Sequence, residues 1–288
     1  MISYPLPRTG WCPARLHTGI FTDHTLFTGT VEDVYDYPEH TAGLGILTMF
    51  AGAGECALNH RTERLSGQAW MLVNKGSRLS LHLSQMGTRP VILFFHTRMV
   101  ERLLGSGDFA PLERMHTGEL TFRPQLEELA ALGDSCSSFI TLKADSIIRN
   151  ILDALICHAR QAAMLASRLE VAKGSTRIEL FKRLSAARDH ILTHYASSVT
   201  LDDMAEIAML NRQHFLRMFR QCYRLTPHQF LTEIRLQQAQ HRLLHSEDSV
   251  TLICLQTGFE SLSSFSGLFR QRFGLSPSAL RRSRQVMN

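Results

Sequence analysis

The sequence predicts an α+β protein of more than one domain: a β-rich N-terminal half, a helical connector and an all-α C-terminal domain. Three observations predict it. Short apolar or alternating runs, separated by turn clusters, fill residues 14–97. After His96 the apolar residues recur at helical spacing instead. A repeat with an offset of 50 residues then runs through the C-terminal hundred. The length of 288 residues fits two domains. With 44% apolar and 20% charged residues, a largely disordered chain, a collagen and a disulfide-dependent mini-protein are excluded.

The β region is carried by Gly43–Phe50, Glu55–Asn59, Ala69–Val73, Leu79–Leu83 and Val91–Phe95. Turns at Asn59-His60-Arg61, Ser66-Gly67, Asn74-Lys75-Gly76 and Met86-Gly87-Thr88 divide them. Strands this short and this evenly spaced suggest a small barrel or sandwich. Its interior is the candidate effector pocket, with Met49, Trp70, Leu72, Leu81 and Phe94 as lining or as plain core. Met99–Leu104 and Pro124–Leu132 read as helices, and Ile140–Leu169 as a long one. In that long helix Ile140, Ile147, Ile151, Leu155, Met164 and Leu169 make a stripe for packing on the β region or for a dimer seam. Lys173-Gly174-Ser175-Thr176 is a break, and everything from Arg177 onward reads as helix.

Net charge is +5, and residues 196–288 hold +4 of it through eleven arginines, no lysine and seven acids. A basic C-terminal third suggests a polyanionic partner, nucleic acid first. No apolar run approaches the roughly 18 residues that a membrane span needs. The N-terminus lacks a basic start followed by an apolar run, and the six cysteines contain no CxxC pair. Together these favour a cytoplasmic protein with reduced, mostly buried thiols.

The repeat is the most informative feature. Phe219-Arg220-Gln221-Cys222-Tyr223-Arg224-Leu225-Thr226-Pro227 returns as Phe269-Arg270-Gln271-Arg272-Phe273-Gly274-Leu275-Ser276-Pro277, and Phe215 as Phe265. Upstream the offset is 49, pairing Leu201 with Val250, Met204 with Ile253, Ala205 with Cys254 and Leu210 with Phe259. Each unit reads helix, turn, helix. Asn211 and Ser261 are N-caps, and Gly258 suits a turn that needs positive φ. Phe215, Met218 and Phe219 form one inner stripe, and Phe265, Leu268 and Phe269 the other. Arg212, Gln213, Leu216, Arg217 and Arg220 then face outward in the first unit, and Leu262, Ser263, Ser266, Gly267 and Arg270 in the second. A helix-turn-helix enters the major groove with its second helix. Pro227 opens a helix to about His245, which separates the units by roughly 28 Å, close to one turn of DNA.

These residues resemble the AraC/XylS family of bacterial transcription regulators. The match covers about 177–288, most closely in TPHQFLTEIRLQQAQHRLL, Val250-Thr251-Leu252-Ile253, Gly258-Phe259-Glu260-Ser261 and FRQRFGLSPSALRR. The resemblance implies a cupin-like barrel as sensing domain over 1–135, a connector over 136–176 and a seven-helix domain with two helix-turn-helix units over 177–288. It implies base-reading places at Arg212, Gln213, Leu216 and Arg217, with Arg217 foremost, and a phosphate contact at Arg220. In the second unit the matching places are Leu262, Ser263, Ser266 and Gly267, with Arg270 and Arg272 for phosphate. Gly267 stands where the family often has arginine, and Met209 where it often has glycine.

Other motifs are weaker. Gly52-Ala53-Gly54-Glu55-Cys56-Ala57 fits a loose dinucleotide fingerprint, but no helix opens after it, so it reads as a β-turn. His60, Glu63 and His82 lack the pairing that a cupin metal site needs. Asp189-His190 makes no triad, and the nucleophile-elbow pattern is absent. The expected function is therefore a ligand-responsive activator of transcription, not an enzyme, with no cofactor and no metal. Its expected partners are promoter DNA, RNA polymerase, a small-molecule effector and a second copy as homodimer, with no membrane. The alternatives are a metal-dependent cupin enzyme with a helical appendage and a partner-binding anti-regulator of the same fold.

Overall fold

The computed structural model describes residues 2–5, 24–59, 61–67, 69–104, 112–117, 121–132 and 138–287. Residues 14–23 of the expected β region, together with Cys12, His60 and Cys136, lie outside them. The chain forms two compact units, Met1–Lys182 and Arg183–Asn288.

The first unit contains two sheets. One is ordered β1 (Ile2–Pro5), β2 (Thr25–Thr28), β9 (Arg89–Phe94), β4 (Gly45–Ala51), β7 (Ala69–Val73) and β10 (Met115–Thr117). The other is ordered β3 (Tyr35–Thr41), β8 (Arg78–Leu83), β5 (Ala53–Leu58) and β6 (Arg61–Ser66). No ladder joins the two sheets among the described residues, so they form a sandwich and not the closed barrel expected. Their shared core holds Phe27, Tyr37, Leu47, Met49, Cys56, Met71, Leu81, Ile92 and Phe94, all at most 2% exposed. Each such side chain contributes roughly 1.5–3 kcal/mol on leaving water. Burial pushes the Cys56 thiol up to about 12, with the nearby Glu63 charge adding to it.

Several sequence expectations change here. The stretch from Gly52 to Ala57, read as a β-turn, is a corner at Gly52 followed by β5, which belongs to a different sheet from β4. The φ of Gly52 is +75°, and a Cβ there would collide with Thr88 Oγ1. Met49, Leu81 and Phe94 are in the shared core, whereas Trp70 and Leu72 are not. Side chains alternate along a strand, so Trp70 and Leu72 point away from Ala69, Met71 and Val73. Trp70 instead stacks on His116 at 4.0 Å and meets the Phe122 ring at 5.5 Å. A cavity of about 390 Å³ lies elsewhere, lined in part by Thr28, Phe50, Arg89, Arg123 and Glu127.

Two of the strands unread in the sequence have physical reasons for escaping notice. β3 contains Pro38 and is an edge strand whose register shifts between Tyr37 and His40. Proline is tolerated there because an edge or bulge leaves its missing donor unneeded. β6 is also an edge and buries only Leu65, so its polar sequence carries no alternation.

Four helices follow or span the boundary of this unit: α1 (Thr97–Leu104), α2 (Arg123–Ala131), α3 (Ser138–Ser167) and α4 (Gly174–His194). The break lies before Gly174, so Gly174, Ser175 and Thr176 are helical. On α3 the stripe Ile147, Ile148, Ile151, Leu152, Leu155 and Ile156 is buried inside the chain itself. Met164, expected in that stripe, is 53% exposed. Lys143 pairs with Glu128 at 2.8 Å, tying α3 to α2. No helix among the described residues is long and apolar enough to cross a membrane.

Beyond α4, the second unit is helical throughout: α5 (Leu201–Ile207), α6 (Arg212–Tyr223), α7 (Pro227–His245), α8 (Val250–Gln256), α9 (Leu262–Phe273) and α10 (Pro277–Met287). The cores of its two halves repeat. Met204, Ala205, Phe215 and Phe219 are buried in the first, and Ile253, Cys254, Phe265 and Phe269 in the second.

Candidate nucleic-acid interface

Each helix of the repeat starts on a side-chain cap, which fixes where its exposed face begins. Thr200 and Asp203 form a reciprocal capping box at α5, and Thr226 and Gln229 do the same at α7. Asn211 accepts from the His214 N–H at 2.9 Å, and Ser261 from the Ser264 N–H at 3.4 Å. The phenylalanine stripes then point α6 and α9 inward on one side only.

The opposite sides carry the residues expected to meet DNA. Arg212, Gln213, Arg217 and Arg220 are exposed on α6, and Leu216 is half-buried at the stripe margin. Leu262, Ser263, Gly267 and Arg270 are exposed on α9, and Ser266 is half-buried. Leu268, expected in the inner stripe, is 38% exposed. It lies about 100° around the helix from Phe269, at the edge of the buried arc.

Two contacts hold the α6 guanidiniums before any ligand arrives. Arg212 donates from Nε to Asp202 Oδ1 at 2.7 Å, both side chains being more than 60% exposed. An exposed pair of this kind is worth about 0–1 kcal/mol, so a base or phosphate can replace it. Arg217 donates to His214 Nδ1 at 3.1 Å, which leans it along the helix.

Arg272, expected at phosphate, is held to the fold through its Nε. Its Nε donates to Glu233 Oε2 at 2.8 Å and to Oε1 at 2.9 Å, tying α9 to α7. The Arg272 hydrogen bond holds the Glu233 carboxyl below its ordinary value of 4.5, against the opposing effect of burial. A depressed carboxylate stabilises the fold above the ordinary value and loses that contribution as pH falls through the folded one. Glu233→Gln is therefore expected to lower the melting temperature at pH 7. The gap to wild type should close as pH falls below about 4.5. A gap independent of pH would assign the effect to packing.

The backbone repeats as closely as the side chains. Met209 and Gly258 hold the two turns at φ 51° and 85°, and Arg224 and Gly274 the two C-caps at 63° and 78°. The first unit thus puts side chains where the second has glycine. Left-handed backbone costs a non-glycine residue about 1–2 kcal/mol, partly offset by the greater freedom glycine loses on folding. Met209 is 65% exposed and contributes little packing. Met209→Gly is expected to stabilise the protein by about 0.5–1 kcal/mol in thermal unfolding. Destabilisation would mean that the Met209 side chain makes a contact worth more than the strain.

Arg235 is the structural residue the sequence did not reveal. Its Nε donates to Tyr195 O at 2.7 Å and its Nη2 to Ser197 O at 2.9 Å. Its guanidinium also lies 5.9 Å from the Phe259 ring centre. It fixes the segment entering α5 against the second turn. Partners 38 and 40 residues away leave no local signal.

Among the described residues, no group of three or more histidines, cysteines, aspartates or glutamates is arranged to hold a metal. His82 hydrogen-bonds Asp36 at 2.5 Å, while Glu63 sits half-buried on β6.

Comparison with known proteins agrees with this geometry in the C-terminal third. A helix-turn-helix domain family matches residues 204–283. An uncharacterized HTH-type transcriptional regulator of Haemophilus influenzae is 37% identical over 102 residues, 35% of this chain and 34% of that protein. The HTH-type transcriptional activator RhaS of Escherichia coli (strain SE11) is 41% identical over 91 residues, 32% of this chain and 33% of RhaS. A solved AraC-type regulator from Chromobacterium violaceum is 27% identical, covering 35% of this chain and 91% of that one at a TM-score of 0.34. The chain spans about a third of the length of the curated relatives it matches. Residues 204–283 of this chain thus belong to a helix-turn-helix domain, and the chain is similar over part of its length to HTH-type transcriptional regulators.

Proposed function

We propose that the chain is a sequence-specific DNA-binding regulator of transcription, acting as an activator at promoters. One observation carries this: two capped helix-turn-helix units, each with a phenylalanine stripe inward and an exposed polar face on its second helix. Arg212, Gln213, Leu216 and Arg217 are the base-reading set on α6, and Arg220 and Arg270 are phosphate ligands. The similarity to RhaS over 91 residues supports activation, and RNA polymerase is the natural partner of an activator.

The N-terminal unit is the sensing half, a cupin-like sandwich whose effector changes the affinity of the protein for DNA or for itself. A ligand shifts such an equilibrium only by its difference in affinity for the two states. The cavity beside Arg89 is the candidate effector site, and that guanidinium favours an anionic small molecule. Phe139 and Leu142, 75% and 70% exposed on α3, support a homodimer through the connector.

The test is a footprint of purified full-length protein on the DNA flanking its own gene, at two salt concentrations. Protection of about 17–20 bp, on one face and spanning two grooves a turn apart, is the expected result. Binding that is weak everywhere, indifferent to sequence and abolished by salt would contradict it.

A further inference from the structure

We infer that the two units divide the work of recognition unequally: α6 chooses the target sequence, and α9 grips the backbone of the adjacent turn with little base discrimination. This rests on the DNA-binding function proposed above and goes beyond it by assigning specificity to one unit.

The repeat allows a comparison position by position. Arg212 corresponds to Leu262, Gln213 to Ser263, Leu216 to Ser266, Arg217 to Gly267 and Arg220 to Arg270. Bidentate readout needs a planar fork, guanidinium to guanine or amide to adenine. The first unit has three such groups at its base-reading places, and the second has none. Serine hydroxyls donate or accept a single bond and serve any base, and Leu262 offers only an apolar touch to a thymine methyl. The one charge retained at an equivalent place is Arg270, on the flank assigned to phosphate.

Packing does not explain the glycine at 267. A Cβ there would meet nothing within 4 Å, in contrast to Gly258, where it would meet Tyr195 O at 2.8 Å. Glycine is also the poorest helix former after proline, so the residue is neither demanded by the fold nor favoured by the helix. What it lacks is the guanidinium that its counterpart Arg217 carries. The second guanidinium of α9, Arg272, stands at no base-reading place, and its Nε is bonded to both oxygens of Glu233.

Selection of binding sites from random DNA by the full-length protein tests this. The expected product has one strongly preferred block of about 3–5 bp, with phosphate-ethylation interference extending a full turn beyond it. Two blocks of equal strength a turn apart would overturn the unequal division while leaving DNA recognition intact. No enriched sequence at all would overturn both. Gly267→Arg is expected to create a second block a turn away, raising affinity for sites with guanine at the new position about 5- to 150-fold. Gly267→Ala should create none. Failure of Gly267→Arg to add any preference would show that positions 217 and 267 are not equivalent on DNA, and would overturn the inference as well.

Discussion

Arg217→Ala is expected to lower affinity for the protected site by about 1–3 kcal/mol and to relax the choice of base at one position. Arg217 is exposed on α6, two turns in from the Asn211 cap, and is bonded only lightly to His214 at 3.1 Å. Little energy is needed to turn it to a base, and the forks of Arg212 and Gln213 stand at other places along the helix. Arg220→Ala differs in kind. It should weaken binding to every sequence alike and flatten the dependence of affinity on salt by about one counterion. Competition gel shifts against a set of single-base variants, at two salt concentrations, separate the two. Uniform weakening with Arg217→Ala would reassign that residue to phosphate.

Gly258→Ala is expected to destabilise the C-terminal unit by about 3 kcal/mol. The left-handed backbone alone, at φ 85°, costs alanine about 1–2 kcal/mol. The new Cβ would also lie 2.8 Å from Tyr195 O and 2.9 Å from Arg235 Nε. Those two atoms are themselves hydrogen-bonded at 2.7 Å, so relief of the clash loosens a charged bond worth roughly 1.5–3 kcal/mol. For a unit of this size, residues 183–288, the melting temperature should fall by about 10 °C or more. Calorimetry of the full chain reads this directly. A shift of a degree or two would mean that the segment around Tyr195 yields freely and that Arg235 is no brace.

The difference between the halves in what the sequence discloses has a physical basis. In the C-terminal unit each local signal agrees with the others. Asn211 and Ser261 cap where expected, Thr226 and Ser249 cap the helices beside them, and buried phenylalanines recur at offsets that a second copy confirms. The faces of α6 and α9 follow from helical geometry alone. In the N-terminal unit the decisive facts are non-local. Ala69–Val73 is apolar at every position and buried at every position, so no alternation indicates that Trp70 and Leu72 turn away from the shared core. Pro38 and the polar run Arg61–Ser66 hide two edge strands. Within the site itself, the Arg272–Glu233 pair joins residues 39 apart, and nothing near Arg272 distinguishes it from Arg270.

Discrimination of one DNA sequence from others by the duplicated domain has a simple readout. The most direct measurement is the ratio of the chain's affinity for the footprinted site to that for a scrambled site of equal length, near physiological salt. A ratio of about 10³ or more is the predicted result. A ratio within a few-fold of one, held at both low and physiological salt, would contradict it and leave the basic face of α6 as a non-specific contact.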